Sequence, residues 1–225
     1  MTSPLADNLR RIRERIAAAA ERVERNPDDV AILAVTKTFP VARIRDAMAL
    51  GLRTFGENRV QEAIPKIEEI GTSDASWHLI GHLQSNKARF IEERFTMVQS
   101  IDSVAIAQTL GRRLKTQLEI LIEVNVGEEP QKTGALPQDL PAIAEAIGGI
   151  STLQLRGLMT VAPMVSDVEE ARPIFQRLRR LRDEASQRLA MPLPVLSMGM
   201  SDDYVVAVEE GATMLRLGRA LFGPR

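Results

Sequence analysis

Few side chains in this sequence could do covalent chemistry, and one stands where a charge needs a reason. Lys37 closes the run Ala31-Ile32-Leu33-Ala34-Val35-Thr36 and precedes the turn signal Phe39-Pro40. An apolar and β-branched run between Pro27 and Pro40 predicts a strand buried on both faces. Lysine is almost never fully buried unless paired. At that strand end its ammonium either emerges into solvent or, as the neutral amine, condenses with a carbonyl compound to form a Schiff base. Cysteine is absent, which removes thiolate nucleophiles, disulfides and Cys-ligated zinc.

Two later stretches offer anion chemistry. Ser197-Met198-Gly199-Met200-Ser201-Asp202-Asp203 places glycine and serine between a strand and a helix start, with Ser201 as the expected N-cap. The free N–H groups and dipole of such a helix attract an anion. Arg216-Leu217-Gly218-Arg219-Ala220-Leu221-Phe222-Gly223 ends the last predicted strand in glycine and begins another short helix. Each stretch alone reads as ordinary capping; on adjacent loops the two read together as a phosphate cradle. Pyridoxal 5′-phosphate satisfies both ends, with an aldehyde for Lys37 and a phosphate for the cradle. Its pyridine nitrogen needs an Asp or Arg partner, and Arg216 can serve. A guanidinium is not deprotonated in proteins, so it would donate to an unprotonated ring nitrogen. That weakens the ring as an electron sink and leaves binding of the cofactor intact.

Other groups invite weaker readings. His78 and His82 suggest a metal, but four residues of strand span about 13 Å, too far for two imidazoles to share an ion at about 2 Å each. His82, near a strand end, reads better as a pocket-lining group. Lys132, in Glu129-Pro130-Gln131-Lys132-Thr133-Gly134, is either a solvated loop lysine or a second amine that receives the cofactor as it leaves Lys37. Tyr204, the one tyrosine, falls in the first turn of a predicted helix and reads as packing or capping rather than as a second acid/base group.

Positioning these groups falls to alternating elements. Ser3-Pro4 caps a helix whose Leu5, Leu9, Ile12, Ile16, Ala20 and Val23 keep helical spacing. Strands are predicted at 31–36, 54–56, 77–81, 96–101, 119–126, 153–160, 195–198 and 213–217. Helices are predicted between them at 41–50, from after Asn58 to about 70, and at 86–93, 103–115, 138–147, 168–189 and 202–210. This alternation implies βαβ units and a parallel sheet, and eight such units favour a (β/α)8 TIM barrel with an extra N-terminal helix, one domain over residues 1–225. Active groups then belong at the C-terminal strand ends, which offer Lys37, Asn58, His82, Ser100 with Asp102, Asn125, Met159 with Thr160, Gly199 to Ser201, and Arg216 with Gly218.

Composition narrows the function classes. With 225 residues and a net charge of −1, the chain lacks the basic balance of a dedicated nucleic-acid binder. Arg10, Arg11, Arg13, Arg15 and Arg22 on the first helix read as a solvated face with interspersed Glu. No apolar run reaches membrane-spanning length, no signal-peptide core is present, and a cytoplasmic protein is the expectation.

The motifs Val35-Thr36-Lys37, Phe55-Gly56-Glu57-Asn58, His78-Leu79-Ile80-Gly81-His82-Leu83-Gln84-Ser85-Asn86-Lys87, Lys132-Thr133-Gly134, Arg156-Gly157-Leu158-Met159-Thr160, Leu196-Ser197-Met198-Gly199-Met200-Ser201-Asp202-Asp203 and Arg216-Leu217-Gly218…Leu221-Phe222-Gly223 are together similar to the pyridoxal phosphate homeostasis protein family. The resemblance covers about residues 5–223. It implies a barrel like the N-terminal domain of alanine racemase, a fold-type III pyridoxal phosphate site and a Schiff base at Lys37. It further implies cofactor contacts from Asn58 and His82, phosphate contacts from Met200, Ser201, Gly218 and Arg219, and Arg216 near the pyridine nitrogen. Many relatives carry Ser or Thr where this chain has Arg219, which removes a hydroxyl from that cradle. The implied role is buffering and delivery of the cofactor, with apo forms of pyridoxal phosphate enzymes as acceptors, in a monomer or weak dimer. A small racemase or decarboxylase is the alternative.

Overall fold

The computed structural model describes residues 3–224. Eight strands, β1 (Ala31–Val35), β2 (Thr54–Glu57), β3 (Ser76–Leu79), β4 (Met97–Ile101), β5 (Leu118–Glu123), β6 (Leu153–Met159), β7 (Val195–Ser197) and β8 (Met214–Leu217), close in sequence order into a barrel. Neighbours run parallel, and β8 returns to β1 with Leu33 opposite Arg216 and Ala34 opposite Leu217. The helices are α1 (Pro4–Glu21), α2 (Val41–Ala49), α3 (Val60–Ile70), α4 (Val104–Gly111), α5 (Leu140–Gly148), α6 (Arg172–Leu189), α7 (Tyr204–Glu209) and α8 (Arg219–Phe222).

Alternation along each strand sends one set of side chains outward and the other into the barrel. The outward set, with Phe55 and Trp77 at a ring separation of 5.5 Å, packs under the apolar stripes of the helices. Ser3 caps α1 by accepting from Ala6 N, with Pro4 in the first turn. The buried stripe Leu5, Leu9, Ile12 and Ile16 fastens α1 to the body. Asn8 Nδ2 donates to Leu221 O of α8 at 3.0 Å, and Arg15 lies over the Tyr204 ring of α7 at 5.2 Å. Tyr204 is thus a buried packing residue at the start of its helix.

Several predicted elements change length or type. β1 ends at Val35, and its first residue, Ala31, is exposed, so burial on both faces begins only at Leu33. The 86–93 helix is a 3-10 segment, Ser85–Phe90, and the predicted 103–115 helix stops at Gly111. A 3-10 turn, Val168–Ala171, precedes α6. Strand β6 must also pass very close to β7: a Cβ on Gly157 would sit 1.8 Å from Val195 O. At that φ of +156° only glycine fits.

Candidate active site

The C-terminal strand ends bring most of the expected residues to one rim. Lys37 lies just beyond β1, half-buried. The backbone around it is fixed by charge. Lys66 of α3 uses its three ammonium protons on Thr36 O at 2.8 Å, Glu57 Oε1 at 2.8 Å and Glu62 Oε1 at 3.0 Å. Thr36 Oγ1 donates to the same Glu57 oxygen at 2.6 Å, and Thr38 N donates to Glu62. Burial pushes the Glu57 carboxyl up, and Lys66 and Thr36 pull it partway back. At Glu62 burial also pushes upward, but the Thr38 N–H and Lys66 outweigh it and the carboxyl ends below its usual range. Thr38 has φ +66°, a conformation β-branched residues avoid and which costs on the order of 1–3 kcal/mol. Strained backbone thus follows the one candidate nucleophile.

Arg216 points inward from β8 and is 5% exposed. Its Nη2 donates to Thr160 O at 2.6 Å and its Nη1 to Ser197 Oγ at 2.8 Å. Among the described residues it makes no ion pair. Burial pulls it down to about 10, and the more distant charges of Glu123 and Asp203 oppose that fall. A buried guanidinium without a carboxylate partner leaves room for an uncharged acceptor.

The two anion loops meet through Ser201. The expectation that Ser201 caps a helix is corrected: α7 begins only at Tyr204, after Asp203. Ser201 Oγ instead accepts from Ala220 N of α8 at 3.0 Å, which leaves the hydroxyl proton for a ligand. Asp203 Oδ1 accepts from Met200 N at 2.6 Å, so the backbone donor of Met200 is already engaged. Arg219 projects outward, 65% exposed, and pairs with Asp202. Gly218 lies against Val35, where even an added Cβ would meet it at an ordinary 3.6 Å.

Asn58 and His82 line a cavity of about 600 Å³ beside this rim, with Arg59, Gln84 and Lys87. Gly81 passes so close to Asn58 that a Cβ there would lie 2.3 Å from its carbonyl oxygen. His82 Nδ1 pairs with Asp102 at 3.1 Å, whereas His78 is buried within the barrel. The two imidazoles serve different networks, and the described residues contain no group of three or more metal-ligating side chains. Lys132 is not the freely solvated loop residue that one reading described; it is ion-paired to Glu129 at 2.6 Å.

Sequence reading missed Glu123 and Gln99, and took Ser197 only as part of an anion loop rather than as a partner of Arg216. Glu123 ends β5 and accepts from Thr133 Oγ1 at 2.8 Å. Burial raises its carboxyl, and Thr133, Arg216 and His82 offset part of that rise. The argument applied to Lys37 would have found it, since Ile120-Leu121-Ile122-Glu123 also runs an apolar strand into a charge. Gln99 and Ser197 are signalled only by polar residues in strands that should be apolar on both faces.

A lysine beyond β1, an arginine on β8 and a doubly anchored pair of loops at one rim define an alanine racemase-like barrel. A family model described as "Alanine racemase, N-terminal domain" matches residues 8–225. The alanine racemase of Corynebacterium glutamicum shares the fold at 16% identity and a TM-score of 0.73, over 96% of this chain and 59% of that one. The pyridoxal phosphate homeostasis protein of Pseudomonas aeruginosa is 44% identical over 226 residues, covering 99% of this chain and 96% of the relative. The chain belongs to the pyridoxal phosphate homeostasis protein family. The solved structure of PipY of Synechococcus elongatus with PLP bound is 41% identical, with a TM-score of 0.82, over 94% of this chain and all of that one.

Proposed function

We propose that this chain holds pyridoxal 5′-phosphate at the barrel rim and contributes to its homeostasis and delivery rather than to a catalysed reaction. One observation carries the reading. β1 and β8 are hydrogen-bonded neighbours, so Lys37 and Arg216 flank one space, and Ser201 joins the loops that bound its far side. The donor set fits the cofactor. Lys37 Nζ is the amine that would hold the aldehyde, as an imine formed with loss of water. Ser201 O–H and the backbone about Gly218 and Arg219 would hold the phosphate, and Arg216 would donate to the ring nitrogen. Asn58 and His82 border the open side. The names of the relatives and the solved structure of PipY with PLP bound support this reading.

When bound, the cofactor supplies an aldehyde and an electron-accepting ring; this chain's residues govern how far either is used. Arg216 keeps its proton even at about 10, so it favours an unprotonated ring nitrogen and poorly supports carbanion chemistry. Glu123, its carboxyl raised by burial, is the titratable group on the β5 side of the rim. Lys132, held by Glu129, is a second amine for release. No helix among the described residues is long and apolar enough to cross a membrane.

The test is the absorbance spectrum of the purified chain loaded with pyridoxal phosphate. A visible imine band is expected, fixed by borohydride and absent in Lys37→Ala. Incubation with a panel of L-amino acids, followed for chirality and CO₂, should show no robust turnover; turnover lost in Lys37→Ala would replace carrier by enzyme.

A further inference from the structure

A row of hydrogen bonds leaves Arg216 and crosses the barrel toward its opposite end. Arg216 Nη1 donates to Ser197 Oγ at 2.8 Å, and Ser197 Oγ donates to Gln99 Oε1 at 2.6 Å. Gln99 Nε2 lies 2.9 Å from His78 Nδ1, and His78 Nε2 lies 3.3 Å from Ser76 Oγ. Ser76 Oγ meets Thr96 Oγ1 at 2.6 Å, and Thr96 Oγ1 donates to Trp77 O at 3.2 Å. β4 and β7 are not neighbours, so the Gln99–Ser197 contact can only pass through the interior.

Chemistry fixes the direction of every proton in this row. A guanidinium only donates, so Ser197 accepts from Arg216 and passes its own proton to Gln99. Gln99 must then turn its oxygen to Ser197 and its nitrogen to His78. Met214 Sδ, 3.1 Å from the same nitrogen, can only accept and favours the same orientation. Neutral imidazole has one donor and one acceptor nitrogen, so Nδ1 accepts and Nε2 carries the proton. Ser76 and Thr96 pass the polarity on to the Trp77 carbonyl.

We propose that Gln99 and His78, neither of which lies at the rim, are positioning residues that lock the Arg216 fork in one orientation and so select ligands whose ring nitrogen accepts a hydrogen bond. The proposal rests on the reading that Arg216 meets the cofactor's ring nitrogen. Thr160 O holds one arm of the fork and Ser197 the other. Gln99 takes the Ser197 proton and so turns the hydroxyl lone pairs to Arg216, and His78, with Met214 Sδ, keeps the Gln99 oxygen there by accepting from its nitrogen. With both arms held, a protonated ring nitrogen would set donor against donor. Burial supports the neutral imidazole this requires, lowering His78 to about 4.

The experiment titrates pyridoxal phosphate into the full chain and into Gln99→Leu, His78→Leu and His78→Asn. Asparagine places Oδ1 near the position of Nδ1 and keeps the acceptor; leucine removes it. Gln99→Leu and His78→Leu should bind about tenfold more weakly and shift the bound-cofactor band, and His78→Asn should restore both to within about threefold. Gln99→Leu binding with unchanged affinity and band would overturn the proposal, as would His78→Asn behaving like His78→Leu. The unmodified chain gives a second measurement independent of how the variants fold. It has two histidines, so imidazole ¹⁵N spectra resolve His78 directly. A proton on Nε2 is expected, and a proton on Nδ1 would overturn the proposal. A chain that captures no pyridoxal phosphate would end the parent reading instead, visible as loss of the borohydride-fixed adduct while the ¹⁵N pattern stands.

Discussion

The two sides of the rim are held by opposite means. Behind Lys37, the outer face of β2 and the helix α3 form a knot of full charges, Glu57, Lys66 and Glu62, with Lys66 only 10% exposed and Glu57 fully enclosed. Behind Arg216, the barrel interior offers neutral groups, Ser197, Gln99 and His78, joined end to end. The charged knot grips backbone, at Thr36 O and Thr38 N, and works through attraction of opposite charges. The neutral row grips one side chain and works through proton direction. Removing a member of the first leaves a buried charge; removing a member of the second leaves an ambiguity of orientation.

Deleting the knot's cation is the harshest way to break this contrast. Lys66→Met should destabilise the chain by about 3–5 kcal/mol, because Glu57 is left buried without its partner. Urea unfolding measures it, and a loss below about 1 kcal/mol would make the two sides alike. Adding Glu57→Gln to that variant should recover part of the loss.

Acid sharpens the difference on the other side. The folded pKa of His78 is lowered to about 4, against about 6.5 in the unfolded chain. Stability from the neutral imidazole is therefore complete above about pH 6.5 and is lost as pH falls through about 4, up to about 3 kcal/mol in all. His78→Asn should flatten the stability-pH curve over that window relative to the parent chain, as followed by unfolding midpoints. Less costly is Thr36→Val, which removes one hydrogen bond to Glu57 and should cost about 1–2 kcal/mol in the same assay. Smallest is Arg219→Ser. Its pair with Asp202 is 65% and 71% exposed, so the stability change should stay within about 1 kcal/mol and shrink further in high salt.

The barrel was legible because its strands are short apolar runs punctuated by glycine and proline, and each is followed by a helical pattern. Lys37 and Arg216 were legible because a charge at the end of such a run is conspicuous. Strand order and closure follow from that rhythm. Helix type was not legible at 85–93, where the spacing suits an α-helix and the chain takes a 3-10 turn. Ser201 misled because its residue type suits a cap, yet the helix starts later and a partner 19 residues away claims the hydroxyl. The neutral row escaped for a different reason. Ser197, Gln99 and His78 are far apart in sequence and meet only when non-adjacent strands face each other across a closed interior. The Glu57–Lys66 pair, nine residues apart, joins a strand to the helix behind it and has no fixed spacing to announce it.

The attachment of α1 bears on how this molecule is made. Asn8 reaches Leu221 across 213 positions, and Arg25 donates to the carbonyls of Val208 and Ala212 at 2.5 and 2.9 Å. α1 therefore waits for residues about 200 positions later before its apolar stripe is covered. Contacts of such long range form slowly. The segment that covers the stripe also carries Ser201, Arg216 and Gly218, so a nascent chain stays both sticky and ligand-incompetent until that segment has been made. Both conditions end together when β8 seats against β1.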